Sequence, residues 1–396
     1  GGGSGAVGAP SARPEATVAG RDLRIDLLRG LAIVFVVVDH INVPSLYHLA
    51  SHERLGVLSG AELFVLLAGV VLGLVFRKRG SEERWLDETS RLFTRARALY
   101  FVALFVVLSS YLLSLVPWLD GRILTTFTDQ GTGTVYNLYP NAENAGRLIA
   151  SVILLRVGPS QFNIIGLYVV LLLAAPFVLL VLLRGRTALV LGVSWLLWGV
   201  YAVSRVNLLP AQFEDPFPLL AWQLLFVNGL ALGFHRRKVL AWMRTGAGRA
   251  LFGVAVAVFL AGLFYTWNNP VSEGPWDPRL SLIAPDTFYG IYERFFGRQD
   301  LGIGRLVNVA AFVIVAYALL SRFWGAFQRV LGWLLVPLGQ ASLYVFILQV
   351  YFALIVASVP VFSVGSVVWG TLAHTAVLLL LWLMVRGRVL FRFIPR

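Results

Sequence analysis

A small set of ionisable residues stands where an apolar chain should have none. The run RDLRIDLLRGLAIVFVVVDHINVP (21–44) carries Asp26, Arg29, Asp39 and His40 in or at the ends of one apolar stretch. Such groups are costly at membrane depth and mark a functional site by default. An imidazole in that position can act as a general base, taking a proton from an acceptor hydroxyl. Arg29 and His40 are eleven residues apart, so on a helix they share a face, separated by about 16 Å at 1.5 Å per residue. The alternative reading has Arg29 snorkelling to the membrane edge and His40 closing the helix end. Asp39 is adjacent in sequence and points about 100° away from His40, so it is not an obvious orienting partner. Glu62, in SGAELFVLLAGVVLG (59–73), is a carboxylate inside a second apolar run, at a depth that matches His40. As a partner of His40 it would fix the tautomer and stabilise the imidazolium; the alternative is a structural ion pair.

Further polar residues are candidates for binding. RKRGSEERWLDETSRLFTRARALY (77–100) places Arg91, Arg95 and Arg97 just before a third apolar run. They read either as ordinary cytoplasmic charge or as an anchor for the phosphates of a cytosolic acyl-CoA, which Arg pairs well. Gln161 and Asn163, then Trp222, Gln223 and Asn228, then Gln340, Ser342, Gln349 and His374 lie inside apolar spans. Hydrogen bonding between helices is the simplest role for most of them; His374 could instead line a pore. Gly69 and Gly73 form a small-xxx-small face suited to close helix packing. The sequence holds no G-x-S-x-G elbow, no H-E-x-x-H, no GxxxxGK[ST] and no G-x-G-x-x-G, which disfavours a serine hydrolase, a zincin and an ATPase. No metal site is expected.

The elements that position these residues follow from composition. The chain has 396 residues, 58% hydrophobic and 13% charged, with mean hydropathy +0.78. Soluble domains average about 45–50% apolar and about 25% charged, so a soluble globular enzyme and a disordered chain are both excluded. Continuous apolar runs argue against a β-barrel. The fold class is therefore all-α: a polytopic membrane bundle of about ten transmembrane helices. The spans fall near 25–43, 57–76, 98–117, 162–183, 187–204, 218–234, 249–266, 305–321, 334–358 and 364–385. The run 147–157 is too short to cross and reads as interfacial or re-entrant. Residues 1–20 read as a linker scar and flexible tail, leaving 21–396 as a single transmembrane domain.

With both termini cytoplasmic, 24 of the 33 Lys and Arg residues lie inside, and every turn of the ten-span arrangement obeys the positive-inside rule. The net charge of +13 is thereby explained without a nucleic-acid partner. Outer loops would hold carboxylates, among them Asp120, Asp129, Glu143, Glu273, Asp277 and Asp300, and two of these loops, about 118–161 and 267–304, are long. Their Trp, Tyr, Asn and Gln suit a sugar face or an interfacial aromatic belt equally. Cys is absent, which removes disulfides and thiolate chemistry.

The blocks RDLRIDLLRGLAIVFVVVDHI, SGAELFVLLAG, QFNIIGLYVVLLLAAPFVLL and PLLAWQLLFVNGLALG, in that order, resemble the OpgC family. Its members are named for succinylation of osmoregulated periplasmic glucans and look like part of the wider acyltransferase-3 group of membrane O-acyltransferases. The likeness implies ten or so helices in the inner (plasma) membrane. It also implies an acyl donor from the cytoplasm, an acyl-CoA with succinyl-CoA foremost, and transfer to a hydroxyl of an extracytoplasmic glycan. No permanently bound cofactor is expected. The wider group has an Arg and a His on its first helix, and Arg29 and His40 fit that pattern. Oligomeric state is left open. A second reading, a transporter or flippase of a glycan or lipid-linked glycan, would make His40, Glu62 and His374 pore or proton-relay groups.

Overall fold

The computed structural model describes residues 17–18, 21–79, 84–128, 134–139, 145–271 and 278–394. The expected tail over 1–20 lies almost wholly outside these, as do Asp129, Glu143, Glu273 and Asp277 of the expected outer loops. Among the described residues the fold is all-α apart from two antiparallel two-stranded ribbons. β1 (Thr17–Val18) pairs with β2 (Arg21–Asp22), and β3 (Thr126–Thr128) pairs with β4 (Val135–Asn137), Thr126 opposite Asn137. The helices of the first half are α1 (Leu23–His40), α2 (Gly60–Arg79), α3 (Trp85–Ser114), α4 (Arg122–Thr125), α5 (Ala145–Ile153), α6 (Ile164–Leu183), α7 (Thr187–Ser204) and α8 (Leu219–Phe234). Those of the second half are α9 (Arg236–Trp242), α10 (Gly246–Thr266), α11 (Pro285–Phe295), α12 (Ile303–Arg322), α13 (Trp324–Phe327), α14 (Trp333–Gln340), α15 (Ser342–Ser358) and α16 (Val367–Arg386).

Among the described residues, seven helices are long and apolar enough to cross a membrane, and an eighth crossing arises if one bent pair counts as a single span. Three elements differ from the ten-span expectation. The expected span 334–358 is broken at Ala341, where α14 and α15 meet at 90°. Pro337 lies inside α14, where it can donate no backbone hydrogen bond. α1 has the length to cross but carries Arg24, Asp26, Arg29 and Asp39. α8 has only 16 residues. The run near 147–157 forms the nine-residue α5, too short to cross. α3 begins at Trp85, so Arg91, Arg95 and Arg97 lie on the helix itself and not ahead of it.

α1 is the axis of the bundle. Twelve of its 18 residues are buried, including Asp26. It packs against α14, α2 and α15, with further contacts to α12 and α16. Glycines set the closest approaches. A Cβ at Gly30 would overlap the Leu335 carbonyl, and one at Gly339 the Asp26 carbonyl, so α1 and α14 touch backbone to backbone. The α2–α8 pair is built reciprocally: Gly69 and Gly73 lie on the carbonyls of Phe226 and Leu230, while Gly229 and Gly233 lie on those of Leu66 and Val70. The small face read at Gly69 and Gly73 is thus a packing face, matched by a second one on the partner helix.

The start of α1 is held by a capping aspartate. Asp22 accepts from the Arg24 backbone N–H at 3.0 Å. Its carboxylate also takes the Arg24 guanidinium at 2.9 Å, the Tyr317 hydroxyl at 2.9 Å and Arg236. Burial opposes ionisation of Asp22, but hydrogen bonding and charge from Arg24, with Tyr317 and Arg236, hold its carboxyl below the ordinary 3.8.

Two outcomes are expected. Gly229→Leu inserts a side chain into the Leu66 backbone and should cost about 1–3 kcal/mol or more, read as a lower thermal midpoint in detergent. Because the folded pKa of Asp22 is depressed, its contribution is complete above the ordinary carboxylate value and is lost as pH falls through the lowered one. Acid titration of an Asp22→Asn variant should therefore show a shallower loss of stability below pH 3.8 than the parent protein.

Candidate functional site

His40 is the last residue of α1, where the chain leaves the helix and turns at Ile41. It is half-buried. Its ring meets the Phe346 ring edge-on, 6.4 Å between centroids at 74°. Phe346 packs in turn on Phe64 and Phe162, each 5.6 Å away. An aromatic wall from α2, α15 and the turn before α6 thus backs the imidazole. Nδ1 of His40 and Oε1 of Gln349 are both buried without a hydrogen bond of normal geometry among the described residues, and Gln349 is the side chain beside the ring able to bond it. Gln349 is itself anchored, its Nε2 donating to the Gln161 carbonyl at 3.3 Å.

Asp39 turns away from His40, as its position on the helix requires, and lies 3.2 Å from His52 Nε2. The His52 ring lies over His48 at 4.2 Å, and His48 meets His374 at 5.9 Å. His374 is fully buried. Its Nε2 lies 3.2 Å from the carbonyls of both Val38 and Ile41. Carbonyls in the last turn of a helix lack intrahelical donors, so His374 closes the end of α1 that carries His40. That is a hydrogen bond between helices, the simpler of the two roles read for it from the sequence.

Glu62 does not reach His40 through a hydrogen bond among the described residues. Its Oε1 accepts from Arg305 Nη1 at 2.8 Å, and its Oε2 takes the Ser59 N–H at 2.8 Å and the Ser59 hydroxyl. Glu62 and Arg305 are both fully buried. Arg305 continues to Glu53 at 2.6 Å, the Tyr292 hydroxyl at 2.7 Å and the Phe296 carbonyl at 2.8 Å. Burial and the Glu53 carboxylate hold the Tyr292 phenol above its usual range, which keeps it a donor. Nothing in the sequence marks Arg305 beyond its place as the first residue of an apolar run.

The arginines gather at the opposite end of α1. Arg29 is half-buried and donates to Ser342 Oγ at 2.7 Å, at the break between α14 and α15. Asp26, one turn earlier, binds Arg21 at 2.5 and 2.8 Å and Gln340 at 3.3 Å. Arg95 lies close enough for its charge to act on Arg29. Arg91, Arg95 and Arg97 are exposed on the first half of α3, Arg91 paired with Glu88 at 2.7 Å.

The remaining candidates are mostly satisfied internally. Gln161 donates to the Ile123 carbonyl at 2.8 Å. Asn163 and Phe162 line a small cleft of about 20 Å³ with Val107, Gly158 and Gln212. Gln223 is bonded to Ser194 through both ends of its amide, at 2.7 and 2.8 Å. Trp222 is fully buried and donates to the Gln299 carbonyl at 3.1 Å. No group of three or more His, Asp or Glu is arranged to hold a metal ion among the described residues.

Seven to eight membrane-length helices around a charged central helix define a multi-pass membrane protein. The family model of the OpgC protein matches residues 21–392, and the chain belongs to the OpgC family. No curated protein matches it.

The Arg305 network carries its own test. Arg305→Met would leave Glu53 and Glu62 facing each other without a cation, and breaking a buried pair costs about 3–5 kcal/mol. Its thermal midpoint should fall well below that of an Arg279→Met surface control; equal midpoints would remove the network from the stability of the fold.

Proposed function

We propose that this protein is a membrane O-acyltransferase that moves an acyl group from cytosolic acyl-CoA to a hydroxyl of an extracytoplasmic glycan. Membership of a family associated with succinyl transfer onto periplasmic glucans supports it. The observation that carries it is His40: a half-buried imidazole at the end of the central helix, backed by aromatic rings, with an amide and no carboxylate beside it. In this reading residues 21–396 form one domain of the inner membrane, crossing it ten times with both termini cytoplasmic. α1 and the α14–α15 bend then count among the crossings.

Acyl-CoA is too charged to cross a bilayer. Its nucleotide stays at the cytoplasmic end of α1, where Arg29, Arg95 and Arg97, with Arg91, offer guanidinium groups to phosphate. Only the thioester-bearing arm follows the α1 face from Arg29 to His40, about 16 Å along the helix. Gln349 Oε1 accepts from Nδ1–H of His40, which leaves Nε2 as the base. Nε2 takes the acceptor hydroxyl proton while the oxygen attacks the thioester carbon. The carbon–sulfur bond breaks, and the coenzyme thiolate regains the proton from the imidazolium. Asp39 and Glu62 shape the field around the imidazole, Glu62 through Arg305. Gln161, Asn163 and the cleft they adjoin lie on the acceptor side, and Trp222, Gln223 and His374 hold the surrounding helices in place.

The test is acyl transfer by the purified chain in nanodiscs, read as coenzyme release and by mass spectrometry of the glucan. His40→Ala should abolish transfer with its thermal midpoint unchanged. Gln349→Leu should reduce transfer and displace its pH profile, because the imidazole loses its acceptor. Full activity in folded His40→Ala would rule out the base role.

A further inference from the structure

The segment 41–59 joins α1 to α2, and its tightest point is a turn at 51–54. The Arg54 N–H closes on the Ser51 carbonyl at 3.1 Å. The two residues between them, His52 and Glu53, both take positive φ, 51° and 61°. Turns with positive φ at both central residues favour Asn and Gly, because other L side chains crowd their own backbone there. Among the described residues eight that are not glycine have positive φ, and only His52 and Glu53 are neighbours in sequence. Backbone held so far from its preference persists where the surroundings over-determine it. Here three consecutive side chains each grip a different part of the fold. His52 Nε2 stands 3.2 Å from Asp39 Oδ1 at the end of α1, a close polar contact without the geometry of a hydrogen bond. Glu53 takes Arg305 of α12 at 2.6 Å and the Tyr292 hydroxyl of α11 at 3.1 Å. Arg54 donates to the Pro278 carbonyl at 3.1 Å and lies over the Trp267 ring at 5.4 Å.

The grip on Asp39 bears on the residue after it. Side chains at adjacent helical positions project about 100° apart, so a rotation of the last turn of α1 moves Asp39 and His40 together. His374 fixes the carbonyls of that turn from α16. His52 fixes the Asp39 side chain, and the two grips are joined. The His52 ring lies over His48 at 4.2 Å, and His48, itself buried, meets His374 at 5.9 Å. Glu53 ties the same turn to the guanidinium that holds Glu62 of α2. The end of α1 is thereby set against α2 and α12 through one pair of strained residues. A turn built only to reverse the chain would do so with less strain if glycine stood at either position. We propose that His52 is a positioning residue for His40: through Asp39 it sets the rotation of the last turn of α1, and so the direction of the imidazole, with Glu53 as its anchor on Arg305. The assignment rests on the acyltransferase reading above, in which misplacing the base costs rate and leaves donor binding at the Arg29 end intact.

The experiment measures acyl transfer from acyl-CoA by the full chain in nanodiscs, parent against His52→Gly. Glycine suits the backbone that residue 52 adopts, so the variant should fold. Its kcat should nevertheless fall about 10–100-fold, the scale of a catalytic group displaced by up to about 1 Å, with KM for acyl-CoA unchanged. His52→Asn should recover part of kcat, since Asn tolerates positive φ and its amide can donate to the same carboxylate. The loss should also run through Asp39: adding His52→Gly to Asp39→Ala should lower kcat little beyond Asp39→Ala alone. Parental kcat in folded His52→Gly, a loss carried by KM, or losses that add in the double variant overturn the assignment. If His52→Gly does not fold, His52→Asn decides: a reduced kcat at unchanged KM supports the assignment and parental kinetics overturn it. The two readings fail differently. Transfer that survives His40→Ala sinks the acyltransfer mechanism, whereas His40-dependent transfer indifferent to residue 52 sinks only the role of His52.

Discussion

A helix that carries four charged side chains cannot face lipid, and the rest of the structure follows from that constraint. α1 holds Arg24, Asp26, Arg29 and Asp39 within 18 residues, each costing several kcal/mol or more if left at membrane depth unpaired. The fold surrounds it with apolar helices and gives each group a partner: Asp22 for Arg24, Arg21 for Asp26, Ser342 for Arg29, His52 for Asp39. Glycines at 30 and 339 let α14 approach closely enough to seal one side. The bend at Ala341 belongs to the same arrangement, because it delivers Ser342 to Arg29 and Gln340 to Asp26.

The other end of α1 obeys a different requirement. The proposed mechanism asks for a general base held in place without being tied to a fixed charge. His374 closes the helix through the Val38 and Ile41 carbonyls, so the backbone at His40 is fixed by a neighbour and not by the His40 ring. Glu62, the carboxylate best placed by depth to compete for His40, is taken up by Arg305 and Ser59. The buried ion pair thus keeps a negative charge occupied, and Arg305 also anchors the end of α11 through the Phe296 carbonyl.

Much of the site was visible before any coordinates. Asp26, Arg29, Asp39, His40 and Glu62 stand out because ionised residues in apolar runs are rare, and the small face of α2 is written in glycine spacing, whereas its match on α8, Gly229 and Gly233, came only from the structure. Arg305 escaped notice because an arginine at a span boundary looks like ordinary interfacial charge. Gln349 read as an interhelical hydrogen-bonding residue and is one, through the Gln161 carbonyl; its place beside the His40 ring needed the fold. Span nine read as one apolar stretch because hydropathy sums over a bend without registering it.

The sequence alone therefore determined the solvent this protein needs, the helical class, and which helix carries the most ionisable residues, since all three depend on composition and local spacing. Tertiary structure alone decided which charge meets which. Glu62 and Arg305 are 243 positions apart and His374 is 336 from Val38. Periodicity shows which face of a helix is apolar and carries no information on which other helix that face will meet.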